Sequence, residues 1–416
     1  MAYRTRVADA EVAQRLIATG AVLIEGPKSC GKTETARRVA ASEVLFDIDP
    51  AARSAVEISP ESVLNGPAPL LLDEWQLAPS VWDRVRREVD SRQKPGQFIL
   101  TGSSVPDQDV RRHSGAGRIG IVRMRTMSLV ESGESIGTVS LRALLAGDEQ
   151  ASAESGMKVQ TLAVALCRGG WPSLIDTESA MASAALGDYI LHTCHVDVLS
   201  VAGPRRDPTK VGRVFQSLAR LTATDAPLQT IAADVHQSGG SIDRHSVADY
   251  VDALERLMLV ENQPAWSPRL RSRAVVRVSP KRHFVDPSLA AAAMGASPEK
   301  LLRDPETLGL LFESLVVRDL RVLSAPLRGT VHHYRDNVGF EIDAIVQCPD
   351  GRWGAFEVKL GHLRVDAAAA QLLKFRQRVD TSIVGEPAVL GVITVGGPAY
   401  RRPDGVHVIP IDCLGA

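Results

Sequence analysis

Ala21-Val22-Leu23-Ile24-Glu25-Gly26-Pro27-Lys28-Ser29-Cys30-Gly31-Lys32-Thr33 is the stretch that decides the fold. Its first five residues read as a buried strand. The eight from Gly26 to Thr33 match GxxxxGK[ST] without a mismatch, and Thr33 opens a helical stretch. In such a loop the backbone N–H groups, with those of the following helix, point at phosphate oxygens. Gly26 and Gly31 permit the tight turn and a close backbone approach. Lys32 brings a cation to the β and γ phosphates, and Thr33 offers a hydroxyl to Mg²⁺. Gly26, Pro27, Lys28, Ser29, Cys30, Gly31, Lys32 and Thr33 are therefore the candidate contacts for ATP, with Mg²⁺ as its cofactor.

Further along, Leu70-Leu71-Leu72-Asp73-Glu74 reads as a second buried strand, ending in two acids. Asp73 is placed to hold Mg²⁺ through water, and Glu74 to orient or deprotonate the attacking water. The bland alternative is a pair of acids capping the next helix. Phe98-Ile99-Leu100-Thr101-Gly102-Ser103-Ser104 ends a third strand in hydroxyls. Thr101 or Ser103 is a candidate sensor of the γ-phosphate; Ser103 or Ser104 serves equally well as a helix N-cap. With the runs Val44–Asp47 and Ile119–Arg125, these strands alternate with amphipathic stretches, which implies a parallel sheet covered on both faces.

At 416 residues the chain calls for more than one domain. A hydrophobic content of 44% and a charged content of 23% suit an ordinary soluble protein. The net charge of −1 means that any nucleic-acid surface must be a local patch. Five scattered cysteines without a CxxC pair indicate neither a zinc ribbon nor a disulfide framework, and suit a reducing cytoplasm. No apolar run approaches the roughly 18 residues of a membrane span, so no membrane partner is expected. His192-x-Cys194-His195 offers metal-like donors but lacks a matched further ligand.

The pattern divides into residues 1–150, the P-loop domain; 151–225, a helical segment; 226–282, helix–turn–helix followed by a hairpin; and 283–416, a second α/β domain. The third piece has the outline of a winged helix. Its basic run, Arg269, Arg271, Arg273, Arg277, Lys281 and Arg282, contains no acid and would suit phosphates on a wing. Winged helices also act as protein–protein spacers, so DNA is one candidate partner and a protein another.

The P-loop, LLLDEWQ, FILTGSS, GAGR, GGWPSLI and HFVDPSL occur in an order that resembles AAA-type ATPases carrying a C-terminal DUF4143 domain. The resemblance spans nearly the whole chain. Where that family more often has a PRQV-like string between the glycines, this chain has Pro-Lys-Ser-Cys, a departure that spares the liganding positions. The resemblance implies ATP hydrolysis, and makes Arg118 in GAGR a candidate arginine finger beside Glu74 and Lys32 as catalytic residues. Oligomerisation stays open.

In the last third, Phe340–Val346 and Trp353–Lys359 flank Pro349-Asp350-Gly351. A hairpin folded about Asp350 sets Asp343 opposite Glu357, and strand alternation puts Lys359 on the same face as Glu357. Asp343, Glu357 and Lys359 resemble the Asp…Glu-x-Lys set of PD-(D/E)xK nucleases, with Glu313 matching the acid of the preceding helix. That resemblance implies a restriction-endonuclease-like α/β fold, with Asp343 and Glu357 as metal ligands and Lys359 stabilising charge. A scaffold that only binds is the alternative, and fold analogy does not decide between them. Three readings follow: an ATPase acting on DNA, an ATP-switched interaction protein with an inactive nuclease-like scaffold, and a DNA-binding regulator that uses ATP only as a conformational ligand.

Overall fold

The computed structural model describes residues 3–103, 114–148, 152–201, 203–267 and 279–416. The chain divides into two compact units. Unit 1 is Met1–Thr126 with the short pieces Ser200–Pro204 and Arg256–Met258; unit 2 is Met127–Leu199, Arg205–Glu255 and Leu259–Ala416.

Unit 1 is built from β1 (Ala21–Glu25), β2 (Ser42–Leu45), β3 (Leu70–Asp73), β4 (Phe98–Gly102) and β5 (Ile119–Arg123). They form one sheet in the order β2-β3-β4-β1-β5, with every pairing parallel. Successive side chains enter opposite faces. Leu23, Leu70, Leu72, Phe98 and Leu100 pack with Trp75, Val81, Trp82 and Val85 on one side. Val22, Ile24, Leu71, Ile99 and Val122 pack with Val12 and Ala36 on the other. Burial on both faces is why these strands read as unbroken apolar runs. The strand order also places β4 between β1 and β3, so the C-terminal ends of all three stand side by side. The expected α/β parallel sheet is present.

Unit 2 carries β6 (Val139–Ser140), β7 (Ala153–Ser155), β8 (Val260–Gln263), β9 (Lys281–Phe284), β10 (Thr330–Arg335), β11 (Glu341–Gln347), β12 (Trp353–Lys359), β13 (Val389–Thr394), β14 (Gly397–Arg401), β15 (His407–Pro410) and β16 (Leu414–Gly415). Seven of these make a mixed sheet in the order β10-β11-β12-β13-β15-β14-β7. Helix Val365–Arg378 covers it through Ala369, Leu372 and Phe375, which pack on Trp353, Leu390 and Val392. Residues 127–148, which the sequence groups with the P-loop region, pack within unit 2. The Leu129 amide donates to Asp319 Oδ2 at 3.0 Å, and β6 pairs with β16.

Helices Pro208–Arg220, Leu228–Gln237 and Arg244–Arg256 precede an antiparallel pair, β8 with β9. The hairpin expected of RLRSRAVVRV, with Arg269, Arg271, Arg273 and Arg277, lies outside the described residues.

Candidate functional site

The loop after β1 is held from below and behind. Gly26 runs so close to the end of β5 that a Cβ there would lie 2.4 Å from the Met124 carbonyl oxygen. Gly31 adopts φ 101°, where only glycine sits cheaply, and caps helix Lys32–Arg37. Arg6 ties the loop from outside, donating to the Cys30 and Arg125 carbonyls at 2.8 Å each. No sequence pattern announced Arg6. Cys30 is fully buried under the loop, its side chain part of the apolar layer.

Lys32 is only 5% exposed, and among the described residues its hydrogen bond goes to the Pro27 carbonyl at 2.9 Å. A buried ammonium facing a neutral carbonyl lacks charge compensation, which suits an anion. Thr33 Oγ1 donates to Asp73 Oδ1 at 2.8 Å, bringing a hydroxyl from the first turn of helix Lys32–Arg37 and a carboxylate from the end of β3 to one point. These are hard oxygen donors of the kind Mg²⁺ takes beside a polyphosphate. The donor set therefore fits a nucleotide–Mg²⁺ complex.

Thr101, at the end of β4, donates to the same Asp73 oxygen and accepts from the Glu74 amide at 3.3 Å. Ser103 donates to Glu74 Oε2 at 3.2 Å. Both hydroxyls thus serve the acidic pair in this state. Glu74 itself takes a left-handed backbone, φ 51° and ψ 46°. Gln76, which the sequence reading passed over, donates through Nε2 to Glu74 Oε2.

Arg118 does not join this site. Its carbonyl accepts from the Ala21 amide at 3.1 Å, at the start of β1, whereas the phosphate loop follows the end of that strand. Five residues of strand put the two ends about 16 Å apart. The Arg118 side chain is paired with Asp90 at 2.7 Å.

In unit 2, β11 and β12 pair Ala344 with Phe356 and Gln347 with Trp353, the register expected of a turn about Asp350. Asp343 and Glu357 do converge, but on a lysine. Lys359 Nζ lies 2.7 Å from Glu357 Oε2 and 3.4 Å from Asp343 Oδ2. Asp343 also accepts from the Val358 amide at 2.8 Å, and Glu357 from Gln371 at 3.2 Å. Burial pushes the Glu357 carboxyl up to about 8, and the charge of Asp343 adds to it. Glu313 does not face this pair alone, because it holds Lys281 at 2.7 Å. Burial raises the Glu313 carboxyl also, against the pull of Lys281. A pocket of about 650 Å³ opens beside Glu313, Asp343 and Lys359. The described residues hold no group of three or more His, Cys, Asp or Glu able to bind a metal. In this arrangement the expected set of Asp343 and Glu357 has Lys359 as its cation, while Glu313 is paired with Lys281. His192 and His195 are exposed while Cys194 is buried, so they do not converge either.

Two basic residues assigned to a phosphate-tracking wing are turned inward. Lys281 is buried on Glu313, and Arg282 donates to the Ala226 carbonyl. The sequence run of like charge hid these partners because both lie far away along the chain.

The parallel sheet, the glycine-bound loop and the acids at the neighbouring strand end make up a P-loop domain. A model described as an AAA domain matches residues 18–132. Models described as domains of unknown function match residues 159–300 (DUF8612) and 308–414 (DUF4143). The chain is similar to the uncharacterized protein Rv2008c of Mycobacterium tuberculosis and the uncharacterized protein Mb2031c of Mycobacterium bovis. Each is 26% identical over 416 residues, covering 99% of this chain and 85% of theirs. Among solved structures, the Walker-type ATPase PABY2304 of Pyrococcus abyssi overlaps 70% of this chain and 96% of its own. The sequence identity is 12% and the TM-score 0.45. No helix among the described residues is long and apolar enough to cross a membrane.

Proposed function

We propose that this chain is an Mg²⁺-dependent ATP hydrolase. The observation that carries it is the buried Lys32, left with a neutral partner, beside the Thr33–Asp73 contact and the adjacent Glu74. Lys32 holds the β and γ phosphates, Thr33 and Asp73 hold Mg²⁺ directly or through water, and Glu74 takes the proton of the attacking water. Bound Mg²⁺ supplies charge neutralisation across the phosphates. The test separates binding from turnover. Lys32→Ala is expected to lose ATP binding, while Glu74→Gln binds ATP and does not turn it over. Wild-type turnover in Glu74→Gln would remove the mechanism, and unchanged ATP affinity in Lys32→Ala would remove the site.

For unit 2, the seat of Lys359 between Asp343 and Glu357 favours a nuclease-like scaffold that binds without cutting. The three helices followed by β8 and β9 support a winged-helix reading of the middle segment. ATP turnover would then switch an interaction made by unit 2. Incubation with single-stranded, duplex and branched DNA in Mg²⁺ or Mn²⁺ should show no cleavage. DNA-stimulated ATP turnover would identify DNA as the partner; cleavage lost in Asp343→Ala would overturn the scaffold reading.

A further inference from the structure

Gln76 sits two residues past Glu74, in the single 3₁₀ turn Trp75–Leu77 that follows β3. Its amide is used unevenly. Nε2 donates to Glu74 Oε2 and lies 3.4 Å from Ser103 Oγ, whereas Oε1 is buried with no hydrogen-bond partner. A buried acceptor left without a donor is destabilising. Gly102 leaves it the room: a Cβ there would lie 2.9 Å from Gln76 Oε1 and 3.0 Å from Trp75 Nε1. Glu74 is constrained as well, by its left-handed backbone and by the Ser103 hydroxyl on the same carboxylate oxygen. Two acceptors therefore stand together past the C-terminal end of β3: the Glu74 carboxylate, fixed through Oε2, and the unpaired carbonyl of Gln76.

We infer that Gln76 is a second water-positioning residue of the ATPase site, with Ser103 as the support that holds Glu74 for it; this rests on the hydrolase reading above. A water has two O–H groups. It donates one to the Glu74 carboxylate and the other to Gln76 Oε1, and its lone pair is left directed away from both. In the reaction the water oxygen forms a bond to the γ-phosphorus while the bond from that phosphorus to the β–γ bridging oxygen breaks. The proton released by the water passes to Glu74, and ADP and inorganic phosphate leave. Gln76 takes no proton. Its Nε2 fixes the base and its Oε1 fixes the nucleophile, so its effect falls on the attack and not on nucleotide affinity.

The full-length chain is assayed for steady-state ATP turnover and, separately, for binding of a fluorescent ADP analogue. Gln76→Ala is expected to lower kcat by about 10²-fold, the scale of a misplaced reacting group, with KM and analogue affinity within about twofold of wild type. Ser103→Ala should lower kcat in the same direction and Ser103→Thr, which keeps the hydroxyl, should restore it. A fall in analogue affinity matching the fall in kcat would make Gln76 a structural residue of the loop and overturn the inference. Wild-type kcat in Gln76→Ala, with Glu74→Gln inactive, overturns it alone. An inactive wild type that still binds the analogue overturns the hydrolase reading and this inference together.

Discussion

The phosphate loop depends on residues that cannot grow by one carbon. At Gly26 a Cβ would meet backbone, the Met124 carbonyl at 2.4 Å, and backbone at a strand end has little room to retreat. Gly26→Ala is therefore expected to displace the loop from β5 and weaken ATP binding tenfold or more, by about 1.4 kcal/mol. A fluorescent-nucleotide titration checks this, and unchanged affinity would show that the loop tolerates the shift. The loop and the acids were legible because their spacing is local and their chemistry tied to residue type. Gln76 was not, because its meaning lies in a donor aimed back at Glu74 and an acceptor left empty. Arg118 shows the converse: its place in the chain does not reveal that it precedes β5 at the N-terminal ends of the strands, away from its own phosphate loop.

Among elements, the two family-like strings GGWPSLI and HFVDPSL prove to be one structural joint. Asp286 Oδ2 accepts from the Gly170 amide at 2.9 Å, and Ser288 Oγ accepts from Trp171 Nε1 at 3.2 Å. Arg318, from helix Pro305–Ser324, closes the joint on Asp286 at 3.0 Å and on Asp319 at 2.8 Å, all three being almost wholly buried. Removing one partner of a buried pair leaves a desolvated charge, so Asp286→Ala should destabilise unit 2 by about 3–5 kcal/mol. Urea unfolding measures it; a loss below about 1 kcal/mol would mean that Asp319 alone satisfies Arg318. Long apolar runs and the hairpin about Asp350 could be read from sequence, since pattern and turn residues are local. β7 and β14 could not. They are short, carry a single buried residue between them, and pair with each other from positions 153–155 and 397–399. The inward turn of Lys281 is equally non-local, since Glu313 lies on a different element.

At the scale of the whole molecule, the two units should answer different ligands. Unfolding is expected to show two transitions, one for each compact unit. ATP with Mg²⁺ at a hundred times its dissociation constant should stabilise unit 1 by about 2.7 kcal/mol and leave unit 2 in place. Mg²⁺ or Mn²⁺ without nucleotide should move neither, because the Lys359 ammonium already sits between the Asp343 and Glu357 carboxyls. Unit 2 should answer pH instead. The Glu357 carboxyl releases its proton near its ordinary value of 4.5 when unfolded, but is held up to about 8 by burial when folded. Between those values the unfolded chain binds fewer protons, so the stability contributed at low pH is lost as pH rises through the window. Glu357→Gln, which keeps the shape and removes its own titration, should lessen that loss, at about 1.4 kcal/mol for each pKa unit displaced, and leave the share of the raised Glu313 carboxyl. Calorimetry from pH 5 to 8.5 decides it. A wild-type unit 2 transition indifferent to pH would mean that Lys359 keeps Glu357 ionised throughout. One raised by Mn²⁺ alone would mean that a metal displaces the lysine, and would reopen the nuclease reading.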